Sequence, residues 1–263
     1  YMLRNEKIDI LSICTPSGFH AKQSIIASKH KINVICEKPM AINTKDAKKM
    51  ILEAKKNKKK LFVVKQNRFN QTLKYLKHLI TKGSLGKIYF FNSNVFWNRH
   101  QKYYDSAKWR GTYKLDGGAL MNQASHYVDM VEWLFGSVKE VAAIMETIAR
   151  KIEVEDSCVL NFKMKNNILG SLSVTMLSYE KNFEGSLTIV AEKGTVRIAG
   201  ISLNEIKEIN LKNKNIKNNL FKKSYSVKNV YGNGHNEYYK NVALNLLGKK
   251  NDITEGIDGL KSL

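Results

Sequence analysis

Ile10-Leu11-Ser12-Ile13-Cys14-Thr15-Pro16-Ser17-Gly18-Phe19-His20 and Ile32-Asn33-Val34-Ile35-Cys36-Glu37-Lys38-Pro39 decide the fold of this chain. Each is a short, mostly apolar run that ends in a turn signal, which marks a strand buried in a sheet. The first strand starts near Ile8 and stops at Thr15-Pro16, and a helix follows from about Phe19 to His30. The second stops at Glu37-Lys38-Pro39. Asn43 or Thr44 then caps a helix to about Lys56, with Ala47, Met50, Ile51 and Ala54 on its apolar face. Leu61-Phe62-Val63-Val64 reads as a third strand. Strands separated by helices imply βαβ units and a parallel sheet, whose chemistry lies at the carboxyl ends of the strands. Thr15, Lys38 and Gln66 fall at those ends.

Beyond Arg68 the pattern changes. A helix near Leu73–Lys82 leads through Gly83 and Gly86 into a long aromatic run, Lys87–Asn98, and Asp116–Phe135 contains another helix. Runs near Val138–Ala149, Ser157–Met164, Ile168–Leu177, Leu187–Ala191 and Thr195–Ile198 are linked by turns such as Lys165-Asn166-Asn167 and Glu192-Lys193-Gly194. Such successive strands imply an antiparallel sheet. The fold class is therefore α/β: residues 1–66 form the C-terminal part of a dinucleotide-type domain, and residues 67–263 an α+β domain with a large, mainly antiparallel open sheet. A helix near Asn236–Leu247 follows a poorly patterned Lys/Asn segment, and no internal repeat is present.

The 263 residues, 43% hydrophobic and 25% charged, have a soluble globular composition. No apolar run is long enough to cross a bilayer, and Tyr1–Lys7 carries no signal core, so a cytoplasmic location is expected. The net charge of +21 rests on lysine, with only six arginines: Arg4, Arg68, Arg99, Arg110, Arg150 and Arg197. Nucleic-acid surfaces favour arginine forks and interleaved aromatics, whereas these lysines scatter over helices and loop tips. A solvated surface is expected, with no nucleic-acid partner. Cys14, Cys36 and Cys158 are odd in number and widely spaced, so no metal site is expected, and Cys14 and Cys36, in apolar strand-like runs, read as buried thiols.

A dinucleotide fold normally opens with a strand, a glycine-rich turn and a helix that cradles the pyrophosphate. The one G-x-G, Gly232-Asn233-Gly234, follows the Lys/Asn segment rather than a strand and reads as an ordinary loop. Either the first βαβ unit is missing from this chain, or the protein binds no dinucleotide.

The motifs favour the first choice. Ile10–His20 and Val34–Pro39, with Trp109-Arg110, Gly117-Gly118, His126-Tyr127-Val128-Asp129 and Trp133-Leu134-Phe135-Gly136, resemble the Gfo/Idh/MocA oxidoreductases across the whole chain. The resemblance implies a Rossmann domain that has lost about 60 residues at its front, bound NAD, and a sugar substrate. Tyr103-Tyr104-Asp105, Trp109–Tyr113 and Leu115–Gln123 are similar to the branch that oxidises the 3-hydroxyl of UDP-N-acetyl-2-amino-2-deoxyglucuronate, a step toward surface polysaccharide such as lipopolysaccharide O-antigen. That branch often has three glycines after the aspartate, where two stand here.

Oxidising a secondary alcohol requires a group that takes the hydroxyl proton while hydride leaves carbon. Lys38, beside the rigid Pro39, serves if burial lowers its proton affinity, and His126 needs no such tuning. Which of the two is the base stays open. Lys38 is otherwise one surface lysine among 38, and His126 a core histidine on a helix with Val128, Val131 and Leu134. Asn122 lies four residues before His126, on the same face if the segment is an α-helix. Many relatives carry aspartate there, and an amide would bind the sugar without repelling a carboxylate. The other reading of Asn122 is a helix cap. Asp129 reads as a structural partner. Where lysine is the default cation, a retained arginine is needed for its planar fork. Arg99 and Tyr103 are candidates for the anionic part of the substrate, with Asn122 and Gln123 for the sugar. Thr15, Pro16, His20, Glu37, Lys38, Gln66, Trp109 and Arg110 are candidates for the cofactor. Arg99 and Arg68 read equally well as ordinary surface arginines, and His20 as a residue packed against the sheet.

The expected partners are a UDP-sugar and a second copy of the chain, as dimer or tetramer, covering the far face of the open sheet. Two other readings remain at this stage: a UDP-N-acetylglucosamine 3-dehydrogenase, and a non-catalytic sugar-nucleotide binding protein.

Overall fold

The computed structural model describes residues 1–263, except for the side chain of Lys214. After a short helix α1 (Met2–Asn5), the chain runs β1 (Ile10–Ile13), α2 (Ser17–Lys29), β2 (Asn33–Cys36), α3 (Thr44–Lys56) and β3 (Leu61–Val63). The three strands form a parallel sheet in the order β1-β2-β3. Asn43 caps α3 by accepting from the Asp46 backbone N–H, and Ala47, Met50 and Ala54 form its buried stripe. Cys36 is buried as expected, and so is Cys158, but Cys14, expected buried, is exposed. β1 is an edge strand ending at Ile13, and Cys14 shares the open side with the exposed Ser12.

A 3₁₀ turn at Gln66–Phe69 and α4 (Gln71–Thr81) lead to β4 (Ile88–Phe96), then the short α5 (Gln101–Asp105), a π-helical turn at Ala119–Gln123 and α6 (Ser125–Phe135). The strands β5 (Val138–Glu146), β6 (Ser157–Met164), β7 (Leu169–Thr175), β8 (Glu184–Ala191), β9 (Gly194–Ala199) and β10 (Glu205–Leu211) complete a mixed sheet. Its order is β10-β9-β8-β4-β7-β6-β5, antiparallel throughout except for the parallel β4–β7 pair. α4 and α6 cover one face through Leu73, Leu76, Tyr127, Met130, Val131 and Leu134. Gly170 leaves room for the Phe91 ring, which stacks on Phe135 at 4.4 Å between centroids.

β10 and α7 (Lys214–Phe221) lie where the sequence showed little pattern. α8 (Gly234–Leu246) and α9 (Gly256–Lys261) then return to the first sheet. Tyr238 is fully buried among Ile35, Phe62, Val64 and Phe69, and Glu255 bridges to Phe62 beside β3. Thr254 closes this edge, its hydroxyl donating to the Val63 carbonyl at 2.6 Å. The last thirty residues, assigned from sequence to the second unit, therefore pack on the first. Gly232 has φ +65°, and a side chain on Gly234 would collide with the Gln66 carbonyl, so this G-x-G allows α8 to approach Gln66. No helix among the described residues is long and apolar enough to cross a membrane.

Candidate active site

The carboxyl ends of β1, β2 and β3 open toward the π-helical turn and the start of α6. Between them and the segment after β4 lies a cleft of about 570 Å³. Its lining includes Lys38, Gln66, Arg99, Tyr103, Trp109, Arg110, Asn122, Gln123 and His126. Residues from Lys38 to Tyr231 thus meet at one place, beside the edge to which the parallel strands present their ends. Thr15, Pro16, His20 and Glu37 do not line this cleft; Thr15 and Pro16 follow β1, His20 lies in the first turn of α2, and Glu37 follows β2.

Lys38 follows β2 across one residue, joined to Pro39 by a cis peptide bond. Its Nζ donates to the Asn122 carbonyl at 2.7 Å and to Asn122 Oδ1 at 3.1 Å. Burial pulls its pKa down to about 8, with Lys65 and Arg99 pushing the same way while Glu37 and Asp116 oppose. No carboxylate lies within ion-pairing distance of the amine among the described residues. A lysine in this state can give up its proton near neutral pH.

His126 sits on the first turn of α6, 9% exposed. Its Nε2 is 3.0 Å from the Gln66 amide nitrogen, and Nδ1 is buried with no partner among the described residues. Burial holds its pKa well below the ordinary 6.5, and the positive charges of Lys38 and Lys65 add to the effect. The ring is therefore neutral at physiological pH. The Gln66 Oε1 atom is also buried without a partner. Turning that amide over would let Nε2–H donate to Oε1 and leave the Nδ1 lone pair available.

Asn122 does not share an α-helical face with His126. The segment Ala119–Gln123 is a π-helical turn and Ala124 separates it from α6, yet both side chains reach the cleft. Both ends of the Asn122 amide are engaged inside the protein: Oδ1 accepts from Lys38, and Nδ2 donates to buried Asp116. Gln123 is engaged likewise, its Oε1 accepting from Arg99 Nε at 3.0 Å and its Nε2 donating to the Tyr103 hydroxyl at 3.0 Å. These two amides fix the cationic wall. Arg110 lies 4.0 Å over the Tyr103 ring and 4.9 Å over Trp109, and Arg99 packs 5.2 Å over Trp97. Neither Arg99 nor Arg110 pairs with a carboxylate among the described residues.

Arg68 takes no part in the cleft. It grips Asp129 with two bonds of 2.8 Å and reaches Asp258 at 3.3 Å, while Lys65 lies 3.5 Å from Asp129. Asp129 is a structural partner, but across the molecule rather than within its own helix. His20 is 1% exposed, with its ring nitrogens 2.7 and 2.8 Å from the Thr15 and Pro39 carbonyls, and its neutral ring donates to one of the two. It thus fixes the strand-end loops against each other. Thr15 is exposed and donates to Gln23. Gly18 lets the Lys114–Leu115 backbone press on the start of α2, where Gly18 N–H donates to Leu115 O at 3.1 Å.

Sequence reasoning missed His100, Lys102, Val230 and Tyr231, which also line the cleft. No motif marks them. Val230 and Tyr231 come from the unpatterned Lys/Asn segment, and only the return of the chain through α8 brings them there. Asp116 was visible in Leu115-Asp116-Gly117-Gly118 but carried no signal of its contact with Asn122. Among the described residues, no three His, Cys, Asp or Glu side chains are grouped to hold a metal ion.

The fold and this site define a class. The NAD-binding Rossmann fold of the oxidoreductase family matches residues 1–65, and the GFO/IDH/MocA C-terminal domain matches residues 73–197. The chain belongs to the Gfo/Idh/MocA family. It is similar to the WlbA dehydrogenase from Bordetella pertussis, solved with NADH and UDP-GlcNAcA, at 44% identity and a TM-score of 0.93 over 99% of this chain and 76% of that one. The WlbA dehydrogenase from Chromobacterium violaceum, solved with the same two molecules, is 47% identical with a TM-score of 0.93, covering 99% and 74%. Levoglucosan dehydrogenase from Pseudarthrobacter phenanthrenivorans is 24% identical over 72% of this chain and 55% of its own length. The chain spans 58%, 44%, 55% and 60% of the first four curated relatives that it matches.

The residues present suit the nicotinamide end of such a cofactor. Lys38 lines the cleft just beyond β2, and Arg110 Nε is buried there with no partner among the described residues. No G-x-G-x-x-G turn to cradle a pyrophosphate occurs in this sequence.

Proposed function

We propose that this protein is an NAD-dependent dehydrogenase that oxidises the 3-hydroxyl of a UDP-linked 2-acetamido-2-deoxyglucuronate to the 3-keto sugar, in the making of surface polysaccharide. The observation that carries this reading is the pairing of two unlike features in one cleft. A lysine of lowered proton affinity stands beside a neutral histidine, and two arginines with no carboxylate partner among the described residues line the same cleft. The first suits proton removal from an alcohol; the second suits a carboxylate or diphosphate. Similarity to the two WlbA dehydrogenases, solved with UDP-GlcNAcA, supports the same substrate.

When bound, NAD supplies the acceptor for the hydride that leaves C3. Lys38 Nζ, in its neutral form, takes the hydroxyl proton as the C3–O bond gains double-bond character. His126, with one ring nitrogen unengaged by protein, is its partner in proton transfer. Thr15, Pro16, His20, Glu37, Gln66, Trp109 and Arg110 border the cofactor. Arg99 and Tyr103 hold the anionic part of the substrate, and Asn122 and Gln123 set the sugar side of the cleft. The assembly is a homo-oligomer through the open face of the large sheet.

The test is NADH formation, followed by absorbance, with UDP-N-acetylglucosaminuronate and with UDP-N-acetylglucosamine. Turnover of the uronate is expected to dominate. Turnover of the neutral sugar alone would remove the anionic substrate, and no turnover with bound sugar nucleotide would leave a binding protein instead.

A further inference from the structure

Lys38 donates to two oxygens of one residue, Asn122 O and Oδ1. An ammonium has three N–H bonds, whereas a neutral amine has two and a lone pair. Two acceptors on Asn122 therefore use both N–H bonds of the neutral amine, and the remaining tetrahedral direction is left for its lone pair. Lys38 lines the cleft, so that direction serves a substrate there.

This arrangement holds only while the Asn122 amide presents oxygen to Lys38. Reversed, it would offer an N–H₂ group to Lys38 and draw its lone pair into an internal hydrogen bond. Asp116 decides the orientation. Its carboxylate is 3% exposed; one oxygen accepts from Gly111 N–H at 2.6 Å and the other from Asn122 Nδ2. A reversed amide would set Asn122 Oδ1 against that carboxylate oxygen, two acceptors in contact. We infer that Asp116 is a positioning residue for Lys38: it locks the Asn122 amide so that the amine lone pair faces the cleft. The inference rests on the reading of Lys38 as proton acceptor.

The charged surroundings act on Lys38 from every side. Glu37 precedes it, Lys65 and Arg99 face it from the end of β3 and the segment after β4, and His126 faces it from α6. Asp116 contributes a negative charge at one remove, and Arg110 and Glu155 stand near Asp116.

Asp116→Asn preserves shape but reverses the order of donors. Its oxygen stays with Gly111 N–H, so its N–H₂ group meets Asn122, the Asn122 amide turns over, and the lone pair is captured. The plateau kcat is expected to fall on the order of 10²-fold, with the sugar-nucleotide KM held within about threefold. The double variant Asp116→Asn with Asn122→Asp restores acceptors toward Lys38, and it should recover most of the lost kcat. A merely structural aspartate would not be rescued in this way. Amine reactivity gives a readout independent of turnover: competitive labelling of Lys38 with acetic anhydride across pH, read by mass spectrometry in the full chain. The labelling midpoint should move down by about one unit in Asp116→Asn, and up in the double variant where a carboxylate touches the amine. If the parent forms no NADH with any sugar nucleotide, the functional reading fails while the labelling midpoints still decide the lock. A plateau kcat within about twofold of the parent in Asp116→Asn, a double variant no better than the single one, or unmoved midpoints would each overturn it.

Discussion

At the scale of single residues, the site depends on proton affinities set by burial. With the Lys38 pKa near 8, a role as proton acceptor requires the neutral amine. The dehydrogenase kcat/KM should therefore climb tenfold per pH unit below about 8 and level off above it. Lys38→Met should lower kcat by about 10² to 10⁴-fold, as read by single-turnover absorbance. A flat profile from pH 6.5 to 9 would contradict this assignment. His126 affects stability as well as activity. Burial lowers its folded pKa well below 6.5, so below 6.5 the unfolded chain binds the proton more readily than the folded one. Stability therefore falls as the pH drops through that window, and His20, also lowered by burial, contributes in the same direction. His126→Asn should lose less melting temperature between pH 7 and pH 5 than the parent does; an equal loss would assign the acid sensitivity elsewhere.

At the scale of elements, α6 carries His126 and is anchored by Asp129, one turn further on. Asp129 is 2% exposed and meets Arg68 from the 3₁₀ turn and Lys65 from the end of β3. Removing one partner of a buried ion pair strands the other charges. Asp129→Ala is expected to cost about 3–5 kcal/mol, measured by urea unfolding, and a loss under about 1 kcal/mol would show that the cluster does not hold α6. Elements with a strong local pattern were legible in sequence: α3 from its cap and stripe, and β4 from its long aromatic run. The π-helical turn was not, because Ala119–Gln123 has the composition of any helix. β10 and α7 were missed because lysine and asparagine dilute their apolar period, and packing on the sheet stabilises them instead. Cys14 was misread because its neighbours are apolar, whereas exposure depends on a strand's place at the sheet edge.

At the scale of the whole molecule, the large sheet has one face under α4 and α6 and the other open. On the open face, Leu169 and Val190 flank Phe90 in register across β7, β4 and β8, and each is more than one third exposed. Such a row is expected to be covered by a second copy. Sedimentation velocity should give a dimer or tetramer, and Phe90→Glu should shift it toward monomer; a monomeric parent at micromolar concentration would remove this face as an interface. The return of α8 and α9 to the first sheet could not be read from the sequence, since Tyr238 and Thr254 show no periodic link to β3. By itself the sequence determined the parallel strands, the mainly antiparallel sheet and the motif residues Lys38 and His126, because periodicity and turn chemistry are local properties. Only the tertiary structure decided that Asn122 is held between Lys38 and Asp116, that Arg68 serves the frame rather than the cleft, and that Tyr231 reaches the site. Those outcomes depend on distances between residues far apart in the chain, and such distances are fixed only when the whole core packs.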